Sequence, residues 1–162
     1  MTKLKTETGY TLLKKSHTYL QYAGFEYVTV TDVPILRIGE SYPPPKIRMD
    51  SKINAAVAKQ ILKRNIPIRG KELKFFRKDV LNLSLEHFAK ELNVTLVTIF
   101  KWEKDPYQRL HLINEVAVRA LLKEKMNFKF NLQLNKSAHL YDQNNFKTFK
   151  VSAKNLVKFN EL

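Results

Sequence analysis

The stretch Phe88–Asp105, FAKELNVTLVTIFKWEKD, constrains the fold of this chain more than any other segment. Its apolar spacing predicts two short helices joined by a tight turn at Asn93. Ser84 precedes the first helix and Thr95 precedes the second. Both residues are typical helix N-caps, because their hydroxyl oxygens accept hydrogen bonds from the first free backbone N–H groups. The segment therefore predicts a helix-turn-helix.

The second predicted helix has two different sides. At 100° per residue, Ile99 and Trp102 fall on one side and would pack inward. The outward side is predicted to carry Leu96, Val97, Phe100, Lys101 and Lys104. A helix presented in this way can enter the major groove of DNA. Its three apolar residues would contact thymine methyl groups, wedge into DNA or bury against a protein, and all three options remain open.

The segments before this motif predict strands and then a helix. The residues YVTVTDVPILRIG alternate apolar and polar types and break at Asp32-Val33-Pro34, which predicts a two-stranded hairpin. The residues GESYPPPK then predict a stiff linker. A helix is predicted to begin after Asp50 or Ser51, with Ile53, Val57 and Ile61 on its inner side.

The segments after the motif predict one more helix and then strands. The last helix would follow Asp105-Pro106 and bury Leu112, Val116, Leu121 and Leu122. The residues MNFKFNLQLN alternate strictly, as a half-buried strand does, and NNFKTFKVS would pair with them in a C-terminal hairpin. The fold class predicted is α+β, with an N-terminal region at 1–68, a helix-turn-helix domain at 69–125 and a basic hairpin at 126–162.

The net charge of +14 at pH 7 is unevenly distributed. Residues 46–78 carry eleven Lys or Arg against two Asp or Glu, and residues 116–162 carry nine against three. The predicted helix-turn-helix lies between them in residues 79–115, which have a net charge of −2. Such a surplus creates a long-range field that attracts polyanions, and it favours nucleic acid as the partner.

Several classes of protein are disfavoured by the composition. The chain has no cysteine, so disulfides, thiolate zinc sites and cysteine nucleophiles are excluded. Its four histidines are scattered, and no pair of carboxylates or Ser/His/Asp set indicates catalysis, so no enzymatic activity, metal or cofactor is expected. The sequence also lacks an apolar run long enough for a membrane span and an N-terminal secretory signal, so a cytoplasmic protein is expected.

A family resemblance rests on "GKELKFFRK", "LSLEHFAKELNV" and "TIFKWEK". These residues resemble the Cro/repressor helix-turn-helix family, and they are most similar to the C-terminal DNA-binding domain of MqsA-type antitoxins and related transcriptional regulators. The resemblance implies that Ser84 and Thr95 cap their helices and present N–H groups to phosphates, that Lys101 and Lys104 face DNA, and that Trp102 and Glu103 lock the second helix into its domain.

The chain departs from the family pattern at several positions. The N-terminal zinc cysteines of the antitoxins are absent, and Leu85 stands where a glutamine is usual after the cap. The polar base readers are replaced by Leu96, Val97 and Phe100. Asp105 occupies a position where glycine is usual, which puts the turn after the second helix in doubt.

The function predicted is sequence-specific binding of double-stranded DNA by a transcriptional regulator, acting as a homodimer that reads two half-sites. One alternative is an antitoxin-like module whose apolar helix face buries a toxin-like protein partner. Another is a single-strand or RNA binder, because the tail aromatics Phe128, Phe130, Tyr141, Phe146 and Phe149 lie among lysines.

Overall fold

The computed structural model describes residues 10–38, 50–129, 146–154 and 156, and these form an α+β fold. The described strands are β1 (Tyr10–Tyr19), β2 (Val28–Ile38) and β3 (Phe149–Ser152). The described α-helices are α1 (Asp50–Lys63), α2 (Gly70–Phe75), α3 (Leu85–Glu91), α4 (Leu96–Lys104) and α5 (Leu112–Lys125). A 3₁₀ turn spans Tyr22–Gly24, and a π-helical turn, Phe76–Val80, continues α2 directly.

The strands form one sheet in the order β1-β2-β3. β1 and β2 are antiparallel and form an N-terminal hairpin, with Tyr10 opposite Ile38 and Tyr19 opposite Val30. The register shifts between Leu13 and Ser16 and again between His17 and Tyr19.

The hairpin predicted within residues 27–39 is wrong in its location. Residues Val28–Ile38 form a single strand, and its partner is β1, which the sequence patterns did not indicate. The predicted break corresponds to an irregularity inside β2, where Asp32 has a left-handed backbone with φ 58°. An extra residue with positive φ is a common form of β-bulge, and aspartate tolerates that conformation better than most residues.

A C-terminal strand is present, but among the described residues it does not pair as predicted. β3 is parallel to β2, with Phe149 opposite Val28 and Ser152 opposite Thr31. Residues 126–129 are turn and irregular, so the expected strand does not begin there, and its remainder lies outside the described residues. The described end of the chain thus completes the N-terminal sheet. The predicted linker GESYPPPK also lies outside the described residues.

An aromatic core holds the sheet together. Phe25, Tyr27 and Phe149 are nearly inaccessible to solvent, as are Val28 and Val30. The ring of Tyr27 stacks on that of Phe25 with centroids 5.5 Å apart, and it lies 5.9 Å from the ring of Phe149. Aromatic pairs at these distances stabilise a core beyond their area of burial.

The predicted helical periodicity is confirmed in α1 and only in part in α5. Ile53, Val57 and Ile61 of α1 are fully buried, and α1 ends before Asn65, which has a positive φ. In α5, Leu121 and Leu122 are buried as expected, but Val116 is only partly buried and Leu112 is exposed. Leu112 lies in the first turn of α5.

The chain divides into two compact units. One contains residues 1–53 and 147–162 and therefore the sheet; the other contains residues 54–146 and therefore α2 to α5. The division falls within α1, whereas the three segments predicted from sequence divide the chain at residues 68 and 125. Among the described residues, none of the helices combines the length and the apolar character that crossing a membrane requires.

The contribution of β3 can be tested at Phe149. Its side chain is buried against Tyr27, so Phe149→Ala should lower the free energy of unfolding of the sheet unit by about 3–5 kcal/mol. Lys150→Ala changes an exposed neighbour on the same strand and should stay within about 0.5 kcal/mol. Urea unfolding followed by tyrosine fluorescence measures both. Equal effects of the two variants would show that β3 does not belong to the core.

A second test concerns the acid side of the stability profile. The Asp32 carboxylate accepts hydrogen bonds from Ser152 Oγ at 2.7 Å and Thr31 Oγ1 at 2.8 Å, and these lower the pKa of Asp32. A lowered pKa in the folded state stabilises the fold above the unfolded aspartate value of about 3.9, and this contribution is lost as pH falls through the folded-state pKa.

The free energy of unfolding of the wild type should therefore fall as the pH is lowered from neutral to below the folded-state pKa of Asp32. It should fall less in Asp32→Asn, which has no carboxylate to protonate. Asparagine also tolerates the positive φ at this position, so the comparison isolates the charge. Unfolding midpoints measured across this pH range provide the readout. If stability fell equally with pH in the two proteins, the hydrogen-bonded Asp32 carboxylate would not be the stabilising group.

Candidate nucleic-acid interface

The segment predicted to be a helix-turn-helix consists of α3, a turn and α4. Ser84 Oγ accepts a hydrogen bond from His87 N at 3.1 Å, and Thr95 Oγ1 accepts one from Thr98 N at 3.1 Å. Both predicted N-caps are confirmed. The turn depends on Asn93, whose φ of 53° reverses the chain between the helices. Asparagine is one of the few residues that adopt this conformation at low cost.

The two sides of α4 differ as predicted. Ile99 is fully buried and Trp102 is partly buried on the inner side. On the outer side, Leu96 is 47% exposed, Val97 56% and Phe100 54%. Lys101 and Lys104 are exposed in the last turn of the same helix. The five candidate residues therefore form an accessible apolar and basic surface, here called the α4 face.

An ion pair fixes α4 from its inner side. Arg77 donates from Nε to Glu103 Oε1 at 2.6 Å and from Nη2 to Glu103 Oε2 at 2.8 Å. Its Nη1 also donates to the carbonyl oxygen of Leu83 at 2.8 Å, in the loop before α3. Each charged side chain is only 9% exposed, and the hydrogen bonds that Arg77 donates to Glu103 raise the pKa of Arg77. The guanidinium of Arg77 thus connects the π-helical turn to the loop before α3 and to α4.

The end of α4 is also fixed by a close backbone contact. A Cβ on Gly70 would collide with the carbonyl oxygens of Asp105 and Trp102, so only glycine allows the start of α2 to approach α4 this closely. Gly70 N donates to Gln108 O at 3.1 Å, and Lys71 N donates to Pro106 O at 3.2 Å. These contacts hold the loop after α4 in one position.

Asp105 is compatible with that loop despite replacing the glycine usual in the family. Its backbone is extended, with φ −100°, so no left-handed conformation is required. Its Oδ1 accepts hydrogen bonds from Tyr107 N at 3.0 Å and Gln108 N at 3.1 Å. An aspartate that hydrogen bonds to backbone N–H groups two and three residues ahead is a common way to stabilise a turn.

Further ion pairs lie at α5 and at the start of α2. Glu115 accepts from Arg119 at 2.9 and 3.0 Å and from Arg109 at 3.0 Å, and Arg119 also donates to Ile66 O at 2.6 Å. Glu72 accepts from the side chain and the backbone N–H of Arg69. These pairs fix α5 and the entrance to α2.

The ion pairs also change the surface charge around the α4 face. Residues 79–115 contain six carboxylates, but Glu103 and Glu115 are turned inward onto arginines, and Glu91 is bound to Lys125 at 2.6 Å. Glu103 is the only acidic residue in α4, whereas Lys101 and Lys104 are exposed. The segment's net charge of −2 therefore understates how basic the α4 face is.

The structure places all seven predicted site residues within α4 or at the caps of the two helices. Ser84 and Thr95 use their hydroxyls as caps. The predicted locking role of Glu103 corresponds to its ion pair with Arg77, which the sequence analysis did not anticipate. Gly70 was also missed, although a glycine at a helix start is a signal for a close backbone approach.

A metal site has no support in the described ranges. No group of three or more His, Asp or Glu side chains in these ranges is arranged to hold a metal ion. Comparisons of the chain with family models, with curated proteins and with solved structures found no match. The resemblance to Cro/repressor proteins therefore remains a prediction from the motif residues.

The anchoring role of the ion pair can be tested by unfolding. Arg77→Met and Glu103→Gln each leave one charged partner without its counterion in a nearly buried position, so each should cost about 3–5 kcal/mol. The double variant should cost clearly less than the two single costs added together, because the second change removes the uncompensated charge.

The matched control is the Lys125–Glu91 pair, whose side chains are 36% and 38% exposed. Breaking it with Lys125→Met should have a much smaller effect, because water replaces the lost partner. Urea unfolding monitored by helical circular dichroism gives all these values. Equal costs for the two pairs would contradict an anchoring role for Arg77.

Proposed function

We propose that the protein is a sequence-specific DNA-binding transcriptional regulator of the helix-turn-helix type, which binds two half-sites as a homodimer in the cytoplasm. The observation that carries the proposal is the α4 face: a helix with its inner side fixed by Ile99 and the Arg77–Glu103 pair, and with its outer side exposed and basic. A helix anchored in this way meets the geometric requirement for insertion into a major groove.

The proposed base contacts are apolar. Leu96, Val97 and Phe100 can neither donate nor accept hydrogen bonds through their side chains, so their sequence-selective target in the major groove is the thymine methyl group. Burying one methyl group contributes roughly 0.8 kcal/mol, a factor of about four in affinity. The preferred sites should therefore be rich in A·T pairs.

The proposed phosphate contacts come from lysines. Lys101 and Lys104 would lie at the edge of the groove, and basic residues of segments 46–78 and 116–162 would add attraction that does not depend on sequence. The first N–H groups of α4 lack partners within the helix, and Thr95 satisfies one of them. The remaining N–H groups are available to a phosphate oxygen.

One observation favours a second function. The three apolar residues of the α4 face are about half exposed, and Tyr107 and Ile113 of the same compact unit are also exposed. Exposed apolar patches commonly bind proteins. An antitoxin-like role, in which the α4 face binds a toxin-like protein, is therefore the alternative proposal.

A thymine-to-uracil exchange distinguishes these functions. For DNA fragments selected from a random pool, a plot of the logarithm of the binding constant against the logarithm of the salt concentration should have a slope on the order of −4 to −8. We call this the salt slope. Replacing thymines at contacted positions by uracil, which differs only by the methyl group, should weaken binding several-fold. Phe100→Ala and Val97→Ala should remove this difference without changing the salt slope.

The lysine variants provide the complementary control. Lys101→Gln or Lys104→Gln should reduce the salt slope by roughly one each if the lysine touches a phosphate, while the thymine preference persists. Binding that is independent of salt would contradict the DNA proposal. The antitoxin-like alternative would be supported by a different pair of results. Uracil would have no effect on DNA binding, and Phe100→Ala would abolish binding to a protein captured from the cells that produce this chain.

A further inference from the structure

Two lysines of α1 and one aromatic residue after α5 form a separate basic cluster. Lys59 Nζ lies 5.3 Å and Lys63 Nζ lies 5.6 Å from the centroid of the Phe128 ring. The ring is positioned by the end of α5, where Asn127 has a positive φ of 45° and Phe128 N donates to Lys123 O at 3.2 Å. We call Lys59, Lys63 and Phe128 the ring cluster.

The ring cluster brings two like charges to one point. Lys59 and Lys63 are four residues apart on α1, so their ammonium groups are neighbours and repel each other. The negative face of the ring offsets part of this repulsion. Within the described ranges, neither lysine forms an ion pair with a carboxylate, and the adjacent Lys129 is also exposed and basic.

The ring cluster contrasts with the cations of the unit that form ion pairs. Arg69, Arg77 and Arg119 are each matched by a glutamate, and Lys125 is matched by Glu91. The attractive field of the ring cluster is therefore not cancelled locally. An oxyanion shared by the two ammonium groups would relieve their repulsion, and a phosphodiester supplies such oxygens at regular intervals along a chain.

We propose that the ring cluster is a phosphate-binding surface for the nucleic-acid backbone, separate from the α4 face. It recognises phosphodiester charge and not base sequence, because ammonium groups are point-like donors without a base-specific geometry. The inference rests on the proposed function only in taking nucleic acid as the polyanion. It adds a site that is independent of the helix-turn-helix.

The test is lysine acetylation of the full chain, read by mass spectrometry, with and without a short DNA duplex of random sequence. Lys59 and Lys63 should become several-fold less reactive when the duplex is present. Lys90, which is exposed on α3 and lies outside the two basic segments, serves as the internal reference. Unchanged reactivity of Lys59 and Lys63 at a duplex concentration that saturates binding would overturn the inference.

The same measurement separates the two proposals. Protection of Lys101 and Lys104 by a selected duplex reports on the α4 face, whereas protection of Lys59 and Lys63 by any duplex reports on the ring cluster. Protection of the ring cluster alone would retain this inference and count against sequence-specific reading. Equal protection by polyglutamate would overturn it, since an acidic protein would then serve as well as nucleic acid.

A paired variant provides the quantitative check. Lys59→Gln with Lys63→Gln should reduce the salt slope for random duplex by about 2. Lys150→Gln with Lys154→Gln removes the same charge elsewhere and should change the slope less. An equal change in both variants would mean that only the total charge matters, and it would overturn the inference. The salt slope of Phe128→Leu should be closer to that of the wild type than the slope of the double lysine variant is, since both ammonium groups remain.

Discussion

The guanidinium of Arg77 is the point on which the position of α4 depends. It binds both carboxylate oxygens of Glu103 and the carbonyl oxygen of Leu83, so it fixes α4 relative to the π-helical turn and the approach to α3. α4 has only nine residues, and a helix of that length is marginal in water without tertiary contacts. Its orientation is therefore a property of its anchors.

The contacts that hold α4 in place do not involve its outer side. Ile99, the Arg77–Glu103 pair and the close approach of Gly70 all act on the inner face or on the end of α4. The exposed residues Leu96, Val97 and Phe100 stabilise none of these contacts. Their identity can therefore be set by a binding partner, which is why they are informative about function.

The predictions from sequence succeeded where the determining contacts are local. The caps at Ser84 and Thr95 depend on residues three positions away, and the turn at Asn93 depends on the backbone preference of one side chain. The burial of Ile53, Val57 and Ile61 follows from a period of 3.6 residues. In each case a short window of sequence contains the whole physical cause.

The predictions failed where partners are far apart along the chain. β3 pairs with β2 across roughly 120 residues, as in the hydrogen bond from Ser152 to Asp32, and alternation of residues cannot identify which strand is the neighbour. The pair Arg77–Glu103 spans 26 residues without any periodic signal. The ring cluster was likewise visible in the sequence only as scattered lysines and an aromatic residue.

Under the proposed function, the apolar base contacts of the α4 face would supply only a small part of the free energy of DNA binding. Each thymine methyl group buried on the α4 face contributes roughly 0.8 kcal/mol, less than the 1–3 kcal/mol of a good bidentate hydrogen-bonded base contact. Three apolar side chains therefore give modest selectivity in one protomer, and binding by a dimer would double that contribution.

Most of the affinity would then come from phosphate contacts, because each neutralised phosphate releases a counterion. The net charge of +14 is well suited to that division, and so is the inward pairing of Glu103 and Glu115, which removes two carboxylates from the surface. A protein built in this way would bind DNA of many sequences at low salt. It would distinguish A·T-rich sites most clearly when salt weakens the phosphate contacts, because methyl burial does not depend on counterion release.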